Sequence, residues 1–188
     1  EKFGTMVKWG PVQTRKLTWR GGGGVREEST SVTERRGLAA WLGEADEGKG
    51  PMISSCGGGL LIYPHIESLI RGLLERKRIV YVCTNAMFMR KKMREWMAAE
   101  YPKRATFIEE KITALMAAGL ITEKDATAIQ QGPKDPAKPT IGPSRWMYWN
   151  VHIDGLERTH DLIVEREGGF KECIRAIKMA KELGHQVA

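Results

Sequence analysis

The chain contains few cysteines and no local pair of them. Its 188 residues include three, Cys56, Cys83 and Cys173, which lie far apart. An odd number at such spacing argues against the disulfide framework of a small secreted domain, and no C-x-x-C motif of redox or zinc sites is present. We therefore expect a reducing, cytoplasmic compartment.

Long apolar runs are also missing. No stretch of about 18 consecutive apolar residues occurs, so no transmembrane helix is predicted, and residues 1–5 carry no apolar signal core. The composition, 41% hydrophobic and 28% charged, is that of one ordinary globular domain. The sequence begins without Met and ends at Gln186-Val187-Ala188, a pattern typical of the start of a strand. We expect a fragment, with a processed or trimmed chain as the alternative.

Several common catalytic and binding motifs are absent. The glycine turn at 57–59 does not fit G-x-G-x-x-G, because Ile62 holds the last position. There is no Walker sequence, no G-x-S-x-G elbow and no H-E-x-x-H, and the four His are too scattered for a sequence-local zinc site. These absences exclude the function classes that such motifs would identify.

Positive charge is concentrated in one region. The net charge is +7, and residues 71–104 contain ten Lys or Arg against three Glu. Such a region is typical of contact with an anionic membrane surface or with nucleic acid. The alternative is that these residues are helix ends and solvated helix faces. Nucleic acid is the less favoured partner, since no aromatic residues alternate with the basic clusters.

Three apolar strands are each followed by polar or glycine-rich residues. Strand 52–56 precedes Gly57 to Gly59, strand 79–83 precedes Thr84 and Asn85, and strand 146–151 precedes His152 and Asp154. Ligands in α/β folds lie at the carboxyl ends of parallel strands. The pattern predicts one shared site at that edge of a parallel sheet.

Amphipathic helices separate these strands. Helices are predicted from Pro64 to Arg78, over 86–97, over 107–118 closed by Gly119, from a Thr122 cap to Gln130, and over 170–183 closed by Gly184. Residues 132–143, with four prolines, are predicted to be a loop, and we interpret 101–144 as a helical insertion. Upstream signals are weaker: a short strand at 6–9, a helix at 37–48, and no regular element at the four glycines 21–24. The alternating βα order indicates a single α/β domain with a parallel sheet, either barrel or open.

One pair of residues in this pattern is suited to proton transfer. His152 and Asp154 are two residues apart, and alternate residues of a strand share a face, so they are an acid–base candidate. The alternative is that His152 only forms a hydrogen bond at the edge of the sheet.

Four sequence strings together resemble a known family. They are the glycine turn after 52–56, Tyr-Val-Cys-Thr-Asn-Ala at 81–86, Val-His-Ile-Asp-Gly at 151–155, and the segment from Glu167-Gly-Gly-Phe to Ala176-Ile-Lys. They resemble radical SAM proteins, closest to the branch that makes adenosylhopane in hopanoid lipid biosynthesis. The resemblance implies about four units of a partial (βα)6 barrel. It also implies S-adenosylmethionine and a [4Fe–4S] cluster as cofactors, and a 5′-deoxyadenosyl radical that adds to a hopene.

The chain departs from that family at both ends of the cofactor site. Gly59 and Leu60 follow Gly57 and Gly58 where the family has Gly-Gly-Glu-Pro, and Arg15, Trp19 and Gly22 stand at the three cluster cysteines. Iron–sulfur clusters require thiolate ligands. We therefore expect a degenerate or truncated copy that binds no cluster and does not carry out the reaction.

The resemblance still assigns several site residues. Cys83 matches a cysteine beside the substrate, and the cofactor-binding positions are Gly57, Gly58, Thr84, Asn85, His152 and Asp154. No residue is assigned to metal binding. Two other functions stay open: a non-catalytic nucleoside- or lipid-binding remnant, and a basic nucleic-acid-binding or scaffold protein. The expected location is cytoplasmic, peripheral to the inner face of a membrane if region 71–104 binds lipid.

Overall fold

A computed structural model describes residues 6–8, 14–20, 24–30, 52–56 and 60–188, with side chains described for 52–54 and 61–188. Seven strands lie in this part of the chain: β1 (Met6–Lys8), β2 (Thr14–Arg20), β3 (Gly24–Thr30), β4 (Met52–Cys56), β5 (Ile79–Thr84), β6 (Met147–Val151) and β7 (Gln186–Val187).

Six α-helices occur in the same part: α1 (Ile66–Glu75), α2 (Met89–Glu100), α3 (Ala105–Ala117), α4 (Glu123–Gln130), α5 (Glu157–Ile163) and α6 (Gly169–Glu182). A short 3-10 turn at Leu60–Ile62 precedes α1. No helix of the described ranges combines the length and apolar character needed to cross a membrane.

The main sheet consists of parallel strands that follow one another in chain order. Its order is β1-β4-β5-β6-β7, and every neighbouring pair is parallel. Ser54 lies opposite Tyr81, which lies opposite Tyr148. The prediction that the three apolar strands are adjacent and parallel is therefore confirmed, as is the strand start at Gln186.

The two faces of this sheet differ in burial. Side chains that alternate along the central strands pack against the helices and are buried, namely Ile53, Val80, Val82, Met147 and Trp149. The intervening side chains remain partly or largely exposed, namely Ser54, Tyr81, Cys83, Tyr148 and Asn150. Because successive residues of a strand point to opposite faces, helices of the described chain cover one face of the sheet, and we call the other the uncovered face.

A separate antiparallel pair, β2 and β3, flanks the glycine run 21–24 in the sequence. Gly24 is the first residue of β3 and pairs with Arg20, so the expectation at the glycine run was wrong for Gly24. Arg15 and Trp19 lie within β2, opposite Ser29 and Val25. Gly22 and the helix predicted at 37–48 lie outside the described residues.

Helix positions agree with the sequence analysis except at a few boundaries. Thr122 and Asp125 form the capping box of α4, and Gly119 and Gly184 follow α3 and α6 with positive φ angles, as predicted. Helix α1 begins at Ile66, after Pro64 rather than at it. Helix α5 was not predicted, because its seven residues are mostly polar or exposed and carry no apolar periodicity.

The end of α1 offers a test of backbone strain. Lys77 has φ +56°, is exposed, and donates its N–H to the Leu74 carbonyl while Arg78 donates to Leu73. This is a Schellman turn with a side chain at the position that favours glycine. Lys77→Gly should raise the free energy of unfolding by about 1 kcal/mol, measured by urea denaturation. Lys77→Ala keeps the Cβ and should change it little; equal gains in both variants would contradict the strain argument.

Candidate functional site at the carboxyl edge of the sheet

The turn after β5 is built by its own polar side chains. Thr84 Oγ1 accepts the N–H of Ala86 at 3.1 Å, and Asn85 Oδ1 accepts the N–H of Met87 at 3.3 Å. Ala86 has φ +63° and is fully buried. These local bonds compete with helix formation, so α2 begins three residues later than the sequence predicted.

The turn after β6 lies beside it. The N–H of His152 donates to the Thr84 carbonyl at 3.0 Å, which extends the pairing of the two strands past their ends. His152 Nε2 lies 2.7 Å from Asp154 Oδ1, so these two side chains do form a pair. The His152 side chain is 72% exposed and that of Asp154 is 23% exposed. The pair is therefore open to solvent and can contact a ligand.

A buried chain of hydrogen bonds joins the two turns. The N–H of Asp154 donates to His160 Nδ1 at 3.1 Å, which leaves the proton of the neutral ring on Nε2. Nε2 lies 3.7 Å from Cys173 Sγ, whose thiol donates to the Asn85 carbonyl at 3.5 Å. Burial raises the pKa of the Cys173 thiol. This His–Cys pair therefore joins the two turns, and its raised thiol pKa favours a structural role over a reactive thiolate.

Asp161 fixes the turn between α5 and α6. Its carboxylate accepts the N–H groups of Phe170 and Gly168, each at 2.7 Å. The hydrogen bond from Phe170, followed by that from Gly168, lowers the pKa of Asp161. The carboxylate satisfies amides at the start of α6, where negative charge is favourable.

Cys83 lies on the uncovered face of the sheet, next to two polar side chains. Ser54 Oγ and Asn150 Nδ2 are each 3.4 Å from Cys83 Sγ. Two residues towards the amino ends of β5 and β6, the rings of Tyr81 and Tyr148 stack with their centroids 4.9 Å apart. Thiol, hydroxyl, amide and aromatic rings therefore line one partly exposed surface.

The structure brings most of the predicted site residues together. Thr84, Asn85, His152 and Asp154 lie at the same carboxyl edge, and Cys83 faces the uncovered side just before it. Gly57 and Gly58 lie outside the described residues. The sequence analysis missed Ser54, Asn150 and His160. The alternation of side chains along β6 places Asn150 on one face, but only the strand register places it beside Cys83.

The described residues at the positions aligned with cluster cysteines carry no thiolates. Arg15 and Trp19, at two of the family's cysteine positions, lack thiolates and lie in β2. Cys173 is fully buried and hydrogen-bonded within the domain. Within the part of the chain that the structure describes, no three His, Cys, Asp or Glu side chains group as metal ligands.

Much of the basic charge of region 71–104 is paired inside the domain. Arg90 forms a bidentate pair with Glu172 at 2.7 and 2.8 Å. Arg94 lies 3.3 Å from Asp125, and Lys92 pairs with Glu67. These cations join helices to one another.

No family model, curated protein or solved structure matches the chain.

Proposed function

We propose that this domain is a partial barrel of radical SAM type and that it binds the nucleoside part of S-adenosylmethionine or a related ligand without an iron–sulfur cluster. The strand order carries the proposal: parallel strands in chain order, with helices of the described chain on one face. A doubly wound sheet would have helices on both faces and a switch in strand order. The uncovered face then corresponds to the interior of the barrel.

The residues at the carboxyl edge suit a nucleoside. The Asp154 carboxylate can accept hydrogen bonds from ribose hydroxyls, and the exposed His152 ring holds that carboxylate in place. Asn85 is also exposed, and its amide N–H₂ can donate to a base. S-adenosylmethionine would supply a 5′-deoxyadenosyl group in the family's reaction, and this chain lacks the thiolates that its activation requires.

A lipid-like substrate would lie deeper on the uncovered face. The stacked rings of Tyr81 and Tyr148 provide an apolar floor, and Cys83 is the reactive side chain nearest to them on that face. Ser54 and Asn150 hold its sulfur in place. By resemblance this lipid would be a hopene, and the enzyme ancestor would belong to hopanoid biosynthesis.

Membrane contact through region 71–104 is a weaker part of the proposal. Five basic side chains of this region are exposed, namely Arg71, Lys77, Lys91, Lys103 and Arg104, while Arg90, Lys92 and Arg94 are held in internal ion pairs. Each cation near an anionic bilayer contributes about 1 kcal/mol, so these five support only reversible binding. The same pairing reduces the charge available to nucleic acid.

Ligand selection tests the nucleoside proposal. In isothermal titration calorimetry, 5′-deoxyadenosine and S-adenosylmethionine should bind with similar, weak affinity and methionine should not bind. The reason is that the Gly-Gly-Glu turn and the iron, which hold the amino acid end, are missing. Asp154→Ala should weaken binding by about tenfold or more, the usual cost of a charge-assisted hydrogen bond.

Glu110→Ala provides the matched control, since Glu110 is an exposed carboxylate on α3. Anaerobic treatment with iron and sulfide should leave the affinities unchanged. Tight S-adenosylmethionine binding that requires this treatment would show that a cluster forms. Binding that survives Asp154→Ala would show that the site is elsewhere.

A further inference from the structure

A cavity where α1 and α2 begin is not used by the proposed function. Its volume is about 260 Å³. Its lining combines apolar side chains, among them Ile62 and Phe88, with three lysines and the carboxylate of Glu67. The volume is below the roughly 300–1,000 Å³ of pockets for drug-sized ligands. The cavity suits a ligand of about one ring.

The charges of this cavity are arranged in two layers. At its floor, the buried Glu67 carboxylate forms an ion pair with Lys92, which is itself buried. At its rim, Lys91 and Lys138 lie 3.9 and 3.8 Å from the two carboxylate oxygens of Glu95. Their side chains are 61% and 46% exposed.

The two rim lysines retain capacity for an anion. Each ammonium group has three donors, and distances of 3.7–3.9 Å to the carboxylates are too long for strong hydrogen bonds. The ammonium groups of Lys91, Lys92 and Lys138 exceed the carboxylates of Glu67 and Glu95 by one. The site therefore has a net charge of +1. A ligand with one negative charge would neutralise the site, whereas a phosphate dianion would give it a net negative charge.

The apolar wall determines the rest of the ligand. Phe88 is 42% exposed and Ile62 is 63% exposed, so both offer apolar surface to a ligand. Both lie beside the lysine rim, so a flat apolar body could cover them while its charge contacts Lys91 and Lys138. We propose that this cavity binds a small aromatic monocarboxylate, independently of the nucleoside edge.

Titration with benzoate, followed by two-dimensional NMR or calorimetry, tests this site. Benzoate should saturate with a dissociation constant on the order of 1 mM, and benzamide, a neutral molecule of nearly the same shape, should bind far more weakly. Lys138→Met and Lys91→Met should each weaken benzoate binding by about tenfold. Phe88→Ala should weaken it too, through loss of the apolar wall.

Two controls separate this site from general charge effects and from the nucleoside edge. Lys134→Met removes an exposed cation from the same loop as Lys138 and should leave benzoate affinity unchanged, as should Asp154→Ala. Equal weakening by Lys134→Met, or no saturation by benzoate, would overturn the proposal. Tighter binding of phenyl phosphate than of benzoate would assign a dianion site and overturn the choice of a carboxylate.

Discussion

Replacing Lys92 by methionine should lower the free energy of unfolding by about 3–5 kcal/mol, the usual result of removing one partner from a buried ion pair. Glu67 is 3% exposed, and Lys92 contacts its Oε1 directly. Without Lys92, the nearest remaining cation is Lys138, which is 3.7 Å from that oxygen and half-exposed. It can compensate only part of the lost interaction. Urea denaturation at neutral pH measures the effect.

Two further variants identify the cause of that loss. The double variant Glu67→Leu with Lys92→Met removes both charges and should recover most of the stability, because an apolar pair of similar volume carries no desolvation cost. Lys91→Met removes a neighbouring exposed cation and should change the free energy of unfolding by less than about 1 kcal/mol. If the double variant is no more stable than Lys92→Met, packing rather than charge determines the loss.

The second large effect is a loss of stability in acid that depends on His185. This side chain is 5% exposed, and its ring lies 5.9 Å, centroid to centroid, from both Trp96 and Trp149. Among the residues that the structure describes, neither ring nitrogen finds a hydrogen-bond partner. Burial lowers the pKa of His185 from 6.5 to about 4. The folded protein therefore keeps the ring neutral at pH values where the unfolded chain protonates it.

The sign of the pH dependence follows from that difference. Above pH 6.5 the His185 ring is neutral in both the folded and the unfolded state, so its titration does not reduce the stability there. As the pH falls from 6.5 to about 4, the unfolded state binds the extra proton and stability is lost. At about 1.36 kcal/mol per pH unit, the loss reaches about 3 kcal/mol.

A phenylalanine variant isolates this contribution from the titration of carboxylates. The free energy of unfolding of the parent chain and of His185→Phe should be compared at about pH 7.5 and about pH 4 by urea denaturation. The variant should lose about 3 kcal/mol less than the parent. His65→Phe, a change at an exposed histidine, should lose as much as the parent. Parallel losses in all three proteins would show that His185 does not control acid stability.

Local patterns predicted the strands of the main sheet and most of the described helices, but not β2 and β3. The apolar runs at 52–56, 79–83 and 146–151 and the capping residues Thr122 and Gly119 were sufficient, because helix caps and short buried strands depend on neighbours within a few residues. The predicted helix boundaries were wrong where side chains formed local hydrogen bonds with the backbone, as Thr84 and Asn85 did before α2.

Contacts between residues far apart in the sequence could not be predicted from local patterns. Cys83 and Asn150 are 67 residues apart, and Arg90 and Glu172 are 82 apart. Their contacts depend on strand register and helix packing, which no local pattern specifies. The same holds for the His160–Cys173 pair, since the seven-residue helix that carries His160 has no apolar periodicity.

The amino-acid sequence alone therefore determines that this is an α/β domain with polar groups after its strands, because side-chain periodicity and turn chemistry are local properties. The tertiary structure decides that the strands of the main sheet follow chain order, that the described helices pack on one face of it, and that Lys92 is a buried partner rather than a surface cation. Burial and charge pairing depend on which distant segments pack together. Residues of the same type, such as the lysines, therefore acquire different roles only when the fold forms.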